Sequence, residues 1–315
     1  TRPGPDDDAA GEADTGEELL LDTERSTLQA LFDMIRRFKI GYRVELHKRT
    51  LERGLLSLIG PDADRVTGTH ETAVNGPAAD EHARARALGP DEHASVAVSI
   101  DGIGALAVRT DVGIDLVCPA GDTDALAKAL CARGAEPASE AAAEIVRVER
   151  GRPRYGIDLD ETVIPQEAGL NERAVSFTKG CYVGQETVAR LHYKGKPNRH
   201  LRGLRLSAPG TVDSGGAAPE TDIAAALAGA VGMELYLGER PVGRLTSVAL
   251  SPIYGPIGLA LVRREAGPGV RVGVGEDGAG AEIVELPFGP SAAEGPSGGR
   301  TAGSAARQDQ RGGGA

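Results

Sequence analysis

Residues 147–160 read RVERGRPRYGIDLD, and they mark the end of a helix within an α/β body. Ser139 is a favourable N-cap for this helix, whose last predicted residue is Glu149. Gly151 and Pro153 then stand where glycine and proline commonly end a helix. Because helical and strand-like segments alternate before this point, the chain up to about residue 205 is predicted to be an α/β body.

The region before this stretch contains clear local signals. Apolar residues recur at helical spacing from residue 28 to 35 and predict an amphipathic helix, with a capping box at Ser26 and Gln29. Asp101-Gly102 is a favoured two-residue turn and predicts a hairpin. The predicted strands are 18–21, 42–46, 55–59, 96–100, 103–108 and 114–118; a helix begins at Thr123 and ends at Gly134, and 70–94 is a loop or weak helix.

The region after about residue 205 has a different character, with short apolar runs separated by glycines. The predicted strands are 235–237, 242–250, 258–262, 270–274 and 283–286, and 207–232 is predicted to be an insertion with a weak alanine helix. Such strands favour a small barrel or sandwich. The predicted organisation is a disordered acidic leader (1–15), an α/β domain (16–205), a β-rich domain (206–288) and a disordered tail (289–315).

Composition excludes some classes of function. The 315 residues carry a formal net charge of −11, which argues against a broad nucleic-acid surface because such a surface needs a basic face. Aromatic residues are only 3% and tryptophan is absent, so aliphatic and alanine packing must form the core. No apolar run reaches the roughly 18 residues that a membrane span requires.

The cysteines and histidines indicate neither a disulfide framework nor a metal cage. Three cysteines are an odd, low number and fit the reducing cytoplasm. Cys118 ends a predicted strand and Cys131 lies on an apolar helical face, so both are predicted to be packing residues. No CxxC or HExxH motif occurs and the histidines are scattered, so no resident metal site is predicted.

Glu149 is a candidate ligand-binding residue. A carboxylate near a helix C-terminus opposes the helix dipole, and this cost is easier to understand if Glu149 binds something. A carboxylate can accept two parallel N–H bonds, which is the arrangement that a 2-amino-pyrimidinone such as a pterin ring offers. The alternative is a surface glutamate that is screened by Arg147 and Arg150.

A second candidate is the run 179–186, which reads KGCYVGQE. It places Cys181 two residues after Lys179 and just before a helix that is predicted from Gln185 to Tyr193. An ammonium group and the free N–H groups of a helix N-terminus both stabilise a thiolate. The alternative for Cys181 is a buried, inert cysteine beside a lysine that only solubilises the surface. Gln185 and Glu186 either orient Cys181 or cap the helix that follows.

The segments RVERGRPRYGIDLD, IPQEAGL (164–170) and SFTKGCYVGQE (176–186) resemble the YgfZ branch of the folate-binding superfamily that contains the glycine cleavage T-protein, an aminomethyltransferase. The resemblance covers about residues 17 to 288. It implies a mixed α/β (α+β) fold, with a folate-binding body of ferredoxin-like halves and a C-terminal β-barrel. It also implies tetrahydrofolate as cofactor and a role in the assembly or repair of iron–sulfur proteins.

The resemblance also implies roles for individual residues. Glu149 matches the position that pairs with the pterin, Lys179 falls near a basic residue beside the folate, and Cys181 matches the thiol that defines the branch. Tyr155 and Tyr182 then belong to the pocket with Gln185 and Glu186, and Lys179, Arg154 or Arg190 would meet the glutamate tail of the folate. Cys181 would act as a nucleophile, a transient iron ligand or a redox handle.

Family members carry a longer N-terminal stretch, which in T-proteins holds the catalytic aspartate and one wall of the folate pocket. Here an acidic, low-complexity leader stands in that place, so the expectation is either that the chain is truncated or that the pocket is open on one side. Three functions therefore remain open: a folate-dependent iron–sulfur accessory protein, a tetrahydrofolate-dependent aminomethyltransferase, and a protein–protein module without a ligand. The partners expected are folate and iron–sulfur proteins or their assembly factors, for a monomer in the cytoplasm.

Overall fold

The computed structural model describes residues 18–69, 88–207, 220–276 and 279–289. The predicted leader (1–15) and nearly all of the predicted tail lie outside these residues, as does most of the 70–94 segment. The chain divides into two compact units, Thr1–Pro137 and Ala138–Ala315, whereas the sequence predicts a boundary after residue 205.

The first unit is built on an antiparallel sheet. Its elements are α1 (Leu28–Phe38), β1 (Arg53–Ile59), α2 (Ala63–Thr67), β2 (Ser95–Ile100), β3 (Ile103–Arg109), β4 (Gly113–Pro119) and α3 (Thr123–Ala132). The strand order is β1-β4-β3-β2. The predicted hairpin of β2 and β3 is confirmed, because Asp101 and Gly102 both have positive φ (52° and 85°), as a two-residue turn of the primed type requires.

The core of the first unit lies between this sheet and the helices α2 and α3. Alternate residues of β4 are fully buried, among them Ile114, Leu116 and Cys118, and they pack with Leu126 of α3. The prediction that Cys118 packs in the core is therefore confirmed. Cys131 is exposed, so the same prediction for Cys131 is wrong: it lies on the solvent side of α3.

Three local predictions in the first unit are wrong. Residues 18–21 and 42–46 are not strands, because in the described part of the chain neither segment pairs with a neighbouring strand. The capping box is also absent, since Thr27 precedes α1 and Gln29 instead donates to Asp33 Oδ2 (2.8 Å). The α1 helix is confirmed, but it has no buried residue.

The second unit contains a closed six-stranded barrel with helices before it. Its elements are α4 (Glu140–Glu149), α5 (Asn171–Ala174), α6 (Gln185–Lys194), β5 (Arg199–Leu206), α7 (Glu220–Ala230), β6 (Glu234–Leu237), β7 (Arg240–Ser251), β8 (Gly255–Arg263), β9 (Arg271–Val274) and β10 (Ala279–Val284). The barrel order is β10-β5-β8-β7-β6-β9, and β9 closes it by pairing with β10. The predicted mixed α/β fold with a C-terminal barrel is thus confirmed.

One helix packs against the outside of the barrel. Val148 of α4 is fully buried against Ile257 and Leu259 of β8 and against Phe288. At the end of α4, Gly151 has φ of +67°, and a Cβ there would lie 2.7 Å from Leu286 Cβ. Glycine is required at this position for both reasons. The close contact fixes the direction in which the chain leaves α4.

Candidate functional site: a carboxylate fastened to the barrel and an exposed thiol loop

Glu149 is the last residue of α4, as predicted. The helix starts where the sequence indicates, because the Ser139 hydroxyl accepts a hydrogen bond from Ala142 N (3.2 Å). Burial of Val148 then sets the rotation of the helix, so that the next residue, Glu149, is half-buried. The Glu149 carbonyl accepts a hydrogen bond from Phe288 N (2.9 Å), so the backbone of Glu149 is fixed as well.

The Glu149 carboxylate is bound to the barrel. Ser251, at the end of β7, donates a hydrogen bond from its hydroxyl to Glu149 Oε1 (2.6 Å). Among the described residues, Oε2 has no hydrogen-bond partner. Arg147 does not pair with the Glu149 carboxylate, because its guanidinium binds the carboxylates of Glu144 and Asp158. Half of the Glu149 carboxylate is therefore held in place while the other half remains available.

The segment that follows Glu149 is anchored by Asp158, whose side chain is completely buried. Asp158 Oδ2 accepts hydrogen bonds from Arg147 Nη1 (2.7 Å) and from Arg154 N (2.9 Å). Asp158 Oδ1 accepts from the hydroxyls of Thr246 (2.5 Å) and Ser247 (2.7 Å) on β7. A buried carboxylate is tolerated when its lone pairs are satisfied in this way.

A bulge in β7 allows two consecutive side chains to reach Asp158. Neighbouring residues of a regular strand point to opposite faces of the sheet. The register of β7 against β8 shifts between Leu245 and Ser247, at Thr246. A bulge of this kind re-aims the side chains beside it, so that Thr246 and Ser247 both bind Asp158.

Arg147 is the cation of this network. Burial alone would lower the pKa of its guanidinium, but the hydrogen bond to Glu144 and the charges of Asp158 and Glu144 outweigh that effect and raise the pKa. Arg147 also donates to Ser247 Oγ (2.7 Å) and to the carbonyl of Arg152. Arg147 therefore connects α4, the segment after α4 and the barrel.

The IPQEAGL segment is fastened to the barrel by a second ion pair. Glu167 is buried and accepts two hydrogen bonds from Arg199 at the start of β5 (Nε to Oε1, 3.2 Å; Nη2 to Oε2, 2.9 Å). The carbonyl of Glu167 also accepts from Leu201 N (2.7 Å). Two parallel bonds between guanidinium and carboxylate fix orientation as well as distance.

Tyr155 lies in the segment that Asp158 anchors and is exposed. Its hydroxyl donates to Glu161 Oε2 (3.4 Å). The pKa of the Tyr155 phenol is raised by loss of hydration and then by the negative charge of Glu161. The backbone of Arg154 completes a tight turn here, because its carbonyl accepts from both Ile157 N (3.2 Å) and Asp158 N (2.9 Å).

The segment 179–184 forms an exposed loop before α6. Cys181 is a free, exposed thiol, and Lys179 Nζ lies over the ring of Tyr182, 4.9 Å from its centroid. Gly184 has φ of 87° and occupies the N-cap, and Gln185 N donates to the carbonyl of Tyr182 (3.2 Å). The predicted helix from residue 185 is confirmed as α6.

For Gln185 and Glu186, the two roles considered from the sequence both stay predictions. Both residues lie in the first turn of α6, and within the described ranges no hydrogen bond joins either side chain to Cys181. Just before the loop, Phe177 stacks on His192 of α6 with ring centroids 4.0 Å apart. This contact holds the beginning of the loop against α6, and no sequence signal pointed to it.

Three polar side-chain atoms near the two motif segments are buried and have no hydrogen-bond partner in the described structure: Gln166 Oε1, Asn171 Oδ1 and Tyr182 Oη. Buried polar atoms are rarely left unpaired, because each loses its hydration without compensation. The roles that the resemblance implies for Glu149 and Cys181 require both to border one cleft, and this requirement stays a prediction. The groove lined by Met34, Phe38 and Tyr42 lies in the first unit and includes none of the predicted site residues.

The described residues contain neither a cluster of metal-binding side chains nor a helix that could span a membrane. No group of three or more His, Cys, Asp or Glu side chains there is arranged to hold a metal ion. In the same part of the chain, every helix is too short or too polar to cross a bilayer.

Sequence reasoning missed four residues that hold the site together: Ser251, Asp158, Thr246 and Ser247. A weak signal existed for Asp158, since a carboxylate in an otherwise apolar GIDL run needs a buried partner. The three hydroxyl residues gave no signal, because serine and threonine are common in strands and at turns.

Comparison with known proteins identifies relatives of this chain. An aminomethyltransferase of Rubrobacter xylanophilus is 30% identical over 278 residues, which cover 87% of this chain and 67% of the relative. A chloroplastic protein of Arabidopsis thaliana that is named as a transferase is 28% identical over 279 residues, 86% of this chain and 56% of that protein. The chain thus spans little more than half the length of the plant relative. No family model matches this chain.

A solved structure supports the same relationship at the level of the fold. The glycine cleavage system aminomethyltransferase T of Bartonella henselae superposes with a TM-score of 0.58 over 83% of this chain and 66% of that protein, at 21% identity. With the relative from Rubrobacter xylanophilus, the family is established. The chain belongs to the aminomethyltransferase family.

Proposed function

We propose that this chain binds a reduced folate, tetrahydrofolate or a derivative, and acts as a member of the YgfZ branch in the assembly or repair of iron–sulfur proteins. The observation that carries folate binding is the Glu149 carboxylate, which Ser251 holds at Oε1 and which keeps Oε2 available. A carboxylate fixed in this way can accept the two parallel N–H bonds of a pterin ring.

The three unpaired buried atoms fit such a ligand. Gln166 Oε1 and Asn171 Oδ1 are acceptors, and the Tyr182 hydroxyl both accepts and donates. A pterin offers several N–H donors, so it could satisfy groups that the protein leaves unpaired. Of the three segments that carry the family resemblance, IPQEAGL contains Gln166 and directly precedes Asn171, and SFTKGCYVGQE contains Tyr182.

The remaining groups suit the rest of a folate. The exposed ring of Tyr155 supplies a flat apolar wall, and Lys179, Arg154 and Arg190 are the cations proposed to meet the carboxylates of the glutamate tail. Gln185 and Glu186 would form the edge of the pocket beside Tyr182. When bound, a reduced folate supplies a carrier for a one-carbon unit. Cys181 would serve as nucleophile, transient iron ligand or redox handle.

Calorimetric titration with tetrahydrofolate tests the folate part of the proposal. We expect binding to the wild type and a loss of at least about tenfold in affinity for Glu149→Gln, since an amide presents a donor where the ligand also donates. Glu140→Gln is the matched control, because Glu140 begins the same helix and is exposed. Absence of any binding heat for the wild type would rule out the folate assignment and favour a module without a ligand.

A pair of cysteine variants tests the iron–sulfur part. Cys181 and Cys131 are both free and exposed, but only Cys181 belongs to the KGCYVGQE run. In cells that lack this protein, Cys131→Ala should restore the activity of iron–sulfur enzymes and Cys181→Ala should not. Lys179→Ala should behave like Cys181→Ala. Full restoration by both loop variants would remove the iron–sulfur role and leave folate binding untouched.

An aminomethyltransferase activity is the second candidate, because the relative with 30% identity carries that name. The assay is formation of methylene-tetrahydrofolate from tetrahydrofolate and an aminomethyl-loaded carrier protein. Robust turnover would place this activity ahead of the iron–sulfur role. We propose that the protein lies in the cytoplasm. We also propose that it is a monomer, and light scattering on the purified chain would check its oligomeric state.

A further inference from the structure

Ser251 occupies a junction between the proposed ligand-binding carboxylate and the turn that connects β7 with β8. Its hydroxyl donates to Glu149 Oε1 at 2.6 Å. The same oxygen accepts hydrogen bonds from Ile253 N (3.0 Å) and from Tyr254 N (2.9 Å). Ser251 is buried, so water does not compete for these bonds.

The number of hydrogen bonds fixes the direction of each one. A serine hydroxyl has one proton and two lone pairs. The amides of Ile253 and Tyr254 occupy both lone pairs, and an amide N–H can only donate. The single Ser251 proton must therefore point to Glu149, and Glu149 Oε1 must act as an acceptor. No rotation of the hydroxyl gives an equivalent arrangement.

Glu149 is held on its other side as well. Its carbonyl accepts a hydrogen bond from Phe288 N (2.9 Å), and its neighbour Val148 is fully buried in the same cluster as Phe288. The backbone of Glu149 is therefore fixed by packing and by one bond. The orientation of its carboxylate depends on a different group, the Ser251 hydroxyl.

We infer that Ser251 is a positioning residue that aims the Glu149 carboxylate at the ligand. The inference rests on the proposed binding of a reduced folate at Glu149. The Ser251 hydroxyl occupies one lone pair of Oε1 and so restrains the carboxylate, while Oε2 and the remaining lone pair of Oε1 are left for the ligand. The ligand then meets a preorganised acceptor pair and does not have to order it on binding.

A double-mutant cycle on tetrahydrofolate affinity tests this role. Ser251→Ala should weaken binding by about tenfold, because a bond to a charged group is lost. Glu149→Gln should weaken it more. The combined variant should bind no worse than Glu149→Gln alone, since Ser251 acts only through Glu149. Ser251→Thr, which retains the hydroxyl, should recover most of the lost affinity. Losses that multiply in the combined variant, or wild-type affinity for Ser251→Ala, would overturn the inference.

The same cycle on unfolding needs no ligand. Urea midpoints are measured for the wild type, both single variants and the combined variant. If Ser251 and Glu149 are linked as described, the midpoint loss of the combined variant is smaller than the sum of the two single losses. If the wild type binds no folate, the proposed function fails while this measurement still decides the link. Strictly additive midpoint losses would show that no such link exists.

Discussion

At the scale of the residue, the stability of the second unit depends on single buried polar groups. Asp158 accepts hydrogen bonds from α4, from its own turn and from β7, and its side chain is fully buried. Removing Asp158 takes away one of the two carboxylates that bind Arg147 and leaves the hydroxyls of Thr246 and Ser247 without this acceptor. The free energy of unfolding that is lost on removing Asp158 is therefore large, even though the intact network contributes little net stability.

We expect Asp158→Ala to lower the free energy of unfolding by about 3 kcal/mol, because a fully buried carboxylate that joins Arg147 to two hydroxyls of β7 is lost. Glu285→Gln is the comparison, since it disrupts the ion pair with Arg202 while Glu285 is 66% exposed. That change should cost about 1 kcal/mol or less. Urea denaturation measures both. Equal losses for the two variants would contradict the importance given to burial.

His200 should make stability depend on pH. Burial lowers its pKa below the ordinary value of 6.5, and the positive charge of Arg202 adds to the effect against the opposing charges of Glu285 and Glu167. The unfolded chain therefore binds the proton more readily than the folded chain. Stability should be unaffected well above pH 6.5 and should fall as the pH decreases through 6.5.

The measurement is urea denaturation of the wild type and of His200→Gln between neutral and mildly acidic pH. Glutamine does not titrate, so the variant should lose less stability than the wild type over this range. If the two curves remain parallel at every pH, His200 is not the group responsible.

At the scale of the element, α1 and α3 show that the same amphipathic pattern can have different packing. Both helices were predicted from helical spacing of apolar residues. Leu126 of α3 is fully buried against the sheet, whereas α1 has no buried residue and exposes Met34 and Phe38. Periodicity indicates that one face of a helix is apolar, but not whether another element covers that face.

Paired substitutions should separate these two helices. Leu126→Ala should lower the free energy of unfolding by about 2–5 kcal/mol, because it opens a cavity in a packed core. Phe38→Ser should change it by about 0.5 kcal/mol or less, as for other surface positions. Denaturation of both variants provides the comparison. A large loss for Phe38→Ser would mean that its ring is covered in solution.

At the scale of the whole molecule, the chain has two compact units, each with its own core. Glu149, Tyr155 and Cys181 all belong to the second unit, together with the barrel strands that hold Glu149 and Asp158 in place. The first unit contributes none of the residues proposed to contact the ligand. Ligand binding is thus expected to depend on the integrity of the barrel.

Hydrogen exchange should report this division. Leu204 is fully buried in the barrel, and Leu126 is fully buried in the first unit. Leu204→Ala should reduce protection of amides in β5 and β8, and Leu126→Ala should reduce protection in β2 to β4. Each variant should leave protection in the other unit close to that of the wild type. Equal loss in both units for either variant would indicate a single cooperative unit.

The family and the elements with strong local signals can be inferred from the amino-acid sequence alone. The Asp101-Gly102 turn and the Ser139 cap depend on the dihedral and hydrogen-bonding preferences of a few adjacent residues, which are visible in the sequence. The packing of distant segments decided that β5 joins the barrel, that Cys131 faces solvent and that 42–46 pairs with no strand in the described part of the chain. It also decided that Ser251 binds Glu149 across 102 positions of sequence. The physical reason is that such pairs form only when distant segments pack together, and no short-range preference encodes which partner a side chain will meet.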